Sequence, residues 1–563
     1  MMATIDQQFI LSNLVLSNFT DIQTISSAFP SLQFEMIAPN TYVITVPAGE
    51  QAEREFNTLR NTVNFITSPI PYGLNAVPAL SASNISQFHN YPYGELRGNG
   101  IIIGFVDTGI DYTNTLFKNA DNTTRIVSIW DQTVSGNPPS GYSYGSVYTQ
   151  QDINQALQSP EPLAIVPSQD ENGHGTFLAG IAAGNDQTGT LDYTGGAPDA
   201  TIAMVKLRPA SEYIRDIFLI NTGEPAYQNN DIIAGISYLV RLSLQEQKPI
   251  VICIGLGSNY GAHNGTEIIE DYISSISIAA NIIVVIAAGN EGSSGHHYKG
   301  TVSSGGSESL EINVGVRETG FPMFVWVDIP NKITVSIKSP LGQVIEKIPI
   351  IPRMPQSFKL NLEETTVTVT YFYPDPLTGG QKIDIRLEEP TPGLWTLTVY
   401  GDIVINGIFH VWLPRRGFIQ SDTRFLRPDP ETTIEIPGTE QFGITVGSYD
   451  YLDDSVYVSS GRGPTTDGIM KPDLIAPGVN VQGPMPGGGF TTYVGTSTAA
   501  AITSSAAALL MEWGVLKGNF PNMNTRIARS ILIRGARRQP NVIYPNTIEG
   551  YGRLDLQASI SRA

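Results

Sequence analysis

The 563-residue chain holds one cysteine, Cys253, so no intramolecular disulfide can form and a core must hold the fold. Cys253 lies inside the apolar run Ile250 to Ile254, the setting of a core thiol rather than a reactive one. Charge is also scarce: Asp, Glu, Lys and Arg make up 15% of the residues, against a usual share of about 25%. The polar surface must therefore draw on Ser, Thr, Asn, Gln and Gly. Positive charge is the scarcer kind, with 33 basic against 52 acidic residues and a formal charge of −19. That balance disfavours nucleic acid and anionic membranes as partners, because neither is attracted to an acidic surface.

The N-terminus, Met1 to Gln7, lacks a basic segment, and the apolar residues after it are interrupted by Ser12, Asn13, Ser17 and Asn18, so it does not read as a secretory signal. The apolar stretch around Ile276 to Gly289 contains Asn281 and is too short to cross a bilayer. The expectation is synthesis in the cytoplasm without classical export and no membrane span. Six histidines are present, His89, His174, His263, His296, His297 and His410, and none stands at zinc-ligand spacing. His296-His297, on a Gly-Ser stretch, reads as a surface pair.

What is there is a set of short motifs with chemistry in them. Gly495-Thr496-Ser497-Thr498-Ala499 opens the apolar run Ala500 to Met511, which places a hydroxyl at a helix N-terminus, where free N–H groups and the positive end of the dipole face incoming negative charge. Such a serine also suits an N-cap, and the rest of the chain decides between the two. A serine nucleophile needs an imidazole to take its proton and a carboxylate to orient that imidazole. Ile101 to Val106 reads as a buried strand ending in Asp107-Thr108-Gly109, which puts a carboxylate at the C-terminal end of a parallel strand. Asn172-Gly173-His174-Gly175-Thr176 precedes the small-residue run Phe177 to Ala183, so His174 stands at the start of a further helix.

The order Asp107, His174, Ser497 with these flanks resembles the subtilisin-like serine proteases. The resemblance implies a catalytic triad of those three residues. It also implies that Ala287-Ala288-Gly289-Asn290-Glu291-Gly292 is the oxyanion-hole segment with Asn290 as donor, and that Gly255, Leu256 and Gly257 form the strand that pairs with substrate backbone. Two departures stand out: Thr498 replaces the commoner methionine, and Ala500-Ala501-Ile502 stands where the family usually has Ser-Pro-His. The missing proline bears on the packing of the helix start, not on the chemistry of the hydroxyl.

The expected fold class is α/β: a subtilisin-like parallel sheet with helices on both faces, an N-terminal α+β propeptide and an inserted all-β, jelly-roll-like domain. Residues 1–76 read as the propeptide-like domain, with strands at Phe34 to Ile37 and Tyr42 to Val46 and a helix at Glu50 to Leu59. Residues 77–300 form the first part of the catalytic domain, with βαβ alternation through the strands Ile202 to Leu207, Ile250 to Gly257 and Ile282 to Ala287. Residues 301–432 change to short strands between Pro, Gly and Asn turns, an inserted sandwich or jelly roll. Residues 433–563 resume the catalytic domain. In the insertion Phe324, Trp326, Trp395 and Trp412 exceed what one isolated sheet could bury, so it is expected to pack on the catalytic domain.

This architecture resembles the clostridial Csp germination proteases. The resemblance implies an endopeptidase that cleaves and then retains its own propeptide, activates a spore cortex-lytic zymogen by limited cleavage, and is packaged in the spore. Self-cleavage is expected between about Tyr72 and Ala79, where Pro69, Pro71 and Pro78 keep the chain extended. No cofactor is expected. Calcium at Asn185 to Gly196 is the one metal to consider, with Asp186 and Asp192 but without a full set of readable ligands. Two other classes remain open at this point: a non-catalytic, pseudoprotease-like regulator or germinant-signalling partner on the same fold, and a structural spore protein in which the β insertion is the functional part.

Overall fold

The Ile- and Val-rich runs that end near Asp107, Cys253 and Ala287 form the middle of one parallel sheet in a computed structural model of the chain. The structure describes residues 7–12, 22–38, 41–47, 49–62, 66–67, 78–90, 95–187, 189 and 191–563. Two units are distinguished, Met1–Leu74 and Asn75–Ala563.

In the first unit an antiparallel sheet takes the order Gln33–Ala38, Thr41–Val46, Gln7–Ser12, Ile66–Thr67. The helices Ile22–Ala28 and Glu50–Thr62 accompany it, and Ile25, Phe29, Leu32, Ile44, Phe56 and Leu59 form its core. Glu50 and Glu53 in the first turn and Arg60 in the last turn of the second helix suit its dipole. The proline-bracketed segment expected to be cut lies largely outside the described residues.

The second unit is built on an eight-stranded sheet in the order Leu474–Pro477, Ile444–Tyr449, Ile282–Ala287, Ile250–Ile254, Ile102–Asp107, Thr201–Lys206, Ile126–Asp131, Ser146–Thr149. All neighbours are parallel except the last pair. The central strands are continuous apolar runs because both faces are covered. Ile103 and Phe105 pack with the helices His174–Ala183 and Thr496–Met511, while Ile102 and Val106 pack with Asn229–Glu246 and Ile268–Ser277. Thr496–Leu516 is the one helix among the described residues long and apolar enough to cross a membrane. It is mostly buried against the strands of this sheet, which accounts for its composition.

Between Ala287 and Ile444 the chain leaves this sheet and makes two antiparallel ones. The six-stranded sheet runs His297–Thr301, Ile408–Trp412, Gly320–Val327, Gln381–Glu388, Thr366–Phe372, Gln356–Lys359, and the five-stranded sheet runs Val344–Ile348, Lys332–Lys338, Gly393–Ile403, Ser307–Val314, Arg424–Phe425. One core holds them together, with Phe321, Val325, Ile385, Trp395, Leu397 and Phe409 inside it. Trp395 thus serves the sandwich itself. Phe324, Trp326 and Trp412 instead form a separate cluster with Ala262 of the protease body, against which Phe218 and Tyr260 pack. Aromatic residues in excess of the sandwich's own core are therefore its joint to the rest of the unit.

Two expectations need correction. His296 and His297 are not a surface pair: they are 4% and 1% exposed, and His297 begins the strand that pairs with Ile408–Trp412. His297 Nε2 meets His410 Nδ1 at 2.9 Å, and His297 and His263 both stack on Trp412. Burial holds His263 down to about 4 and His410 to about 3, so both are neutral at pH 7. The strand expected over Ile250 to Gly257 stops at Ile254, where its ladder with Ile282–Ala287 ends at the pair Ile254 and Ile286.

Candidate active site

Asp107 closes the central strand at its carboxyl end, the edge on which open α/β sheets place their sites. It is 1% exposed, and its Oδ1 accepts from the Thr108 N–H at 2.8 Å and from His174 Nδ1 at 2.8 Å. A carboxylate only accepts, so Nδ1 carries the hydrogen and Nε2 is left as the acceptor. Ser497 Oγ lies 3.1 Å from that Nε2 and donates to it. Burial pulls the His174 pKa down, but attraction to Asp107 and the hydrogen bond from Nδ1 outweigh it, and the pKa sits above the ordinary value of 6.5.

His174 is held by its helix. Gly173, at φ 91°, precedes it in a left-handed conformation that side chains avoid, and Gly175 packs so close to Gly109 that a Cβ there would come within 2.2 Å of the Gly109 oxygen. Asp170, missed in the sequence, fixes this corner. Its Oδ1 accepts from the Gly173 N–H and Thr108 Oγ1, both at 2.8 Å, and its Oδ2 accepts from the Thr176 N–H at 2.8 Å and Thr176 Oγ1 at 2.7 Å. Thr108 Oγ1 in turn accepts from the Gly175 N–H at 2.9 Å. One buried carboxylate thereby ties the residue after Asp107 to both sides of His174. The available signal was an Asp four residues before His174, with Thr108 and Thr176 on the two flanking motifs.

Ser497 is the second residue of the helix Thr496–Met511, and its N–H belongs to the first turn, which has no intrahelical carbonyl to bind. Asn290 stands beside it. Its Oδ1 accepts from the Thr496 N–H at 3.1 Å and Thr496 Oγ1 at 3.3 Å, which fixes the amide and turns Nδ2 the other way. A Cβ at Gly495 would lie 3.3 Å from Nδ2 and 3.7 Å from Ser497 Oγ, so the glycine keeps the space between them open. Gly255 borders the same space: a Cβ there would come 3.2 Å from both His174 Cε1 and Ser497 Cβ. Asp107, His174, Ser497, Asn290 and Gly255 therefore meet in one place, whereas Leu256 packs against the core on the Asn229–Glu246 side of the sheet and Gly257 lies against Glu435.

The walls are braced from the inserted sandwich, a feature that no motif announced. Glu291, next to Asn290 and 3% exposed, accepts from His296 Nδ1 at 2.7 Å, Ser294 Oγ at 2.8 Å, Asn259 Nδ2 at 3.1 Å and the Arg416 N–H at 2.9 Å. Burial raises its pKa, but the hydrogen bond and charge of His296 prevail and hold it below the usual carboxylate range. His296, just before the first strand of the sandwich, and Arg416, after the strand Ile408–Trp412, thus converge on one carboxylate beside the Asn290 amide. Glu435, paired with Arg415 at 3.0 Å, fills the space under Gly257 and Gly289, where a Cβ would come within 2.4 Å of its atoms. Cys253 is buried as expected, its thiol pushed up to about 12 by burial.

Comparison with known proteins agrees with this geometry. The subtilase family matches residues 98–337 and 426–552, leaving out most of the sandwich. The structure of the Clostridium perfringens CspB protease aligns with a TM-score of 0.77 and 33% identity, over 86% of this chain and 97% of that one. The human membrane-bound transcription factor site-1 protease is 35% identical over 131 residues, 22% of this chain and 12% of that protein. The Arabidopsis thaliana subtilisin-like protease SBT3.5 is 25% identical over 499 residues, 78% of this chain and 59% of that protein. The chain thus spans less than two thirds of either of these curated relatives.

Proposed function

The chain belongs to the subtilase family of serine proteases, and from that premise we propose that it is an active endopeptidase with Asp107, His174 and Ser497 as its triad. The observation that carries this reading is the unbroken relay from Asp107 through His174 to Ser497 Oγ, at 2.8 and 3.1 Å. As Ser497 Oγ attacks the scissile carbonyl, His174 Nε2 takes its proton, and Asp107 holds the tautomer and stabilises the imidazolium. The oxyanion is received by Asn290 Nδ2 and the Ser497 N–H. His174 then returns the proton to the leaving amine, and a water repeats the sequence to release the acyl group. Gly255, Leu256 and Gly257 pair with the substrate backbone. In keeping with the likeness to the CspB protease, the physiological reaction is limited cleavage of a spore cortex-lytic zymogen during germination. The Met1–Leu74 unit is a propeptide that is cut off by the protein's own serine and retained.

His174 must be neutral to act as base, and Asp107 favours its charged form. Peptide kcat/KM is therefore expected to rise with pH through one ionisation above the ordinary histidine value of 6.5 and to fall away below it. A pH–rate profile that stays flat from pH 5 to 8 contradicts the assignment. Asn290→Ala is expected to lower kcat by about 10²–10³ with a smaller change in KM, because the donor acts on charge that develops only in the transition state. An unchanged kcat shows that the oxyanion is held elsewhere.

A further inference from the structure

Asn290 can act only if its Nδ2 stands where the oxyanion forms, and the window for such a donor is about 2.7–3.1 Å. One flank of the residue is steadied by Thr496: its N–H and Oγ1 donate to Asn290 Oδ1 at 3.1 and 3.3 Å, and its Oγ1 accepts from the Gly289 N–H at 3.0 Å. The strand Ile282–Ala287 ends three residues before Asn290, so the ladder with Ile444–Tyr449 does not extend to it. The other flank is Glu291.

Glu291 is 3% exposed, and a carboxylate is tolerated at such burial only where hydrogen-bond donors surround it. Its donors come from three parts of the chain: Ser294 and His296 from its own loop, Asn259 from the segment after Gly257, and the Arg416 N–H from the segment after Ile408–Trp412. Two more bonds tie these donors to one another. The Leu413 N–H donates to the His296 oxygen at 2.9 Å, and the Leu413 oxygen accepts from Asn259 Nδ2 at 3.2 Å. His296 makes the shortest contact to the carboxylate, 2.7 Å, and is itself 4% exposed, so bulk water cannot take its place. The residue after Asn290 is thereby anchored to the segment that leaves the sandwich as firmly as Asn290 Oδ1 is anchored to the serine helix.

We propose that Glu291 and His296 are positioning residues for the oxyanion hole, and that through this buried pair the inserted sandwich contributes to turnover. Both act through Asn290: they hold the main chain that carries its amide. Their effect falls on charge that develops in the transition state, and so on kcat rather than KM. The proposal rests on the reading of Asn290 as an oxyanion donor.

The test is a double-mutant cycle on peptide hydrolysis, with each kcat expressed per serine titrated by a fluorophosphonate so that unfolded protein drops out. His296→Phe keeps a ring but removes the Nδ1 donor, and it is expected to lower kcat by about 10-fold or more with KM within about 2-fold, because small misplacements of a catalytic group are costly. His296→Asn, whose amide N–H can stand near the place of Nδ1–H, should recover kcat by at least about 3-fold over the phenylalanine variant. In an Asn290→Ala background His296→Phe should cost less than about 3-fold, since residues that act through one group are not additive. If His296→Phe leaves too little protein to titrate, Glu291→Gln is taken through the same cycle with the same expectation. A loss as large in the Asn290→Ala background as in the parent overturns the proposal alone, as does a loss confined to KM or an unchanged kcat in His296→Phe. An Asn290→Ala chain with unchanged kcat overturns the oxyanion assignment, and the proposal with it.

Discussion

Ser497→Ala is expected to lower peptide turnover by about six orders of magnitude and to leave the fold unchanged. The helix that carries Ser497 is buried and packed against the central strands, and the substitution removes one oxygen at its rim. What disappears is the nucleophile, and neither His174 nor Asn290 can replace it. The variant also tests self-processing. Cleavage between about Tyr72 and Ala79 by the molecule's own serine is an intramolecular reaction, favoured by the high effective concentration of a tethered bond. The parent should therefore run as two bands on a denaturing gel that co-elute as one species in native chromatography, and Ser497→Ala as one full-length band. Two bands from the alanine variant identify another protease as the one that cuts.

Asp107→Asn is expected to cost about four orders of magnitude in kcat. Asn at 107 can present an N–H to His174 Nδ1, which favours the tautomer with hydrogen on Nε2, where it can no longer accept the proton of Ser497 Oγ. The pH dependence should move as well. Attraction to the Asp107 carboxylate is what lifts the His174 pKa against burial, so the residual activity of the variant should titrate lower than that of the parent. A residual activity that titrates at or above the parent's value shows that another group raises it. Steady-state kinetics across pH on the purified variant reads both effects.

The candidate active site was legible in the sequence because its residue types are those the proposed chemistry requires and its glycines are dictated by space. Gly173 takes a φ that side chains avoid, Gly175 touches Gly109, and Gly255 leaves room beside Ser497, so the short motifs around Asp107, His174 and Ser497 carried their own context. The central strands were legible for a related reason: burial on both faces writes them as unbroken apolar runs. The braces were not. Asp170 and Glu291 are recognisable only through partners brought in by the fold, such as Thr108 from 62 residues away and Arg416 from 125 residues away. His297 was misplaced for the same reason, since the strand that buries it, Ile408–Trp412, comes more than a hundred residues later. Gln381–Glu388 alternates apolar and polar residues in a short run that its neighbours in the sheet confirm and local pattern alone leaves open.

The central claim is that Ser497 is a nucleophile activated by His174, and it is tested most directly by covalent labelling. The purified chain is incubated with a fluorophosphonate and digested, and the modified residue is located by mass spectrometry. The account predicts near-stoichiometric modification of Ser497 alone, at a rate that rises with pH through the same ionisation as peptide hydrolysis, and no modification in Ser497→Ala. A folded wild-type chain in which Ser497 stays unlabelled at pH 8 would contradict it.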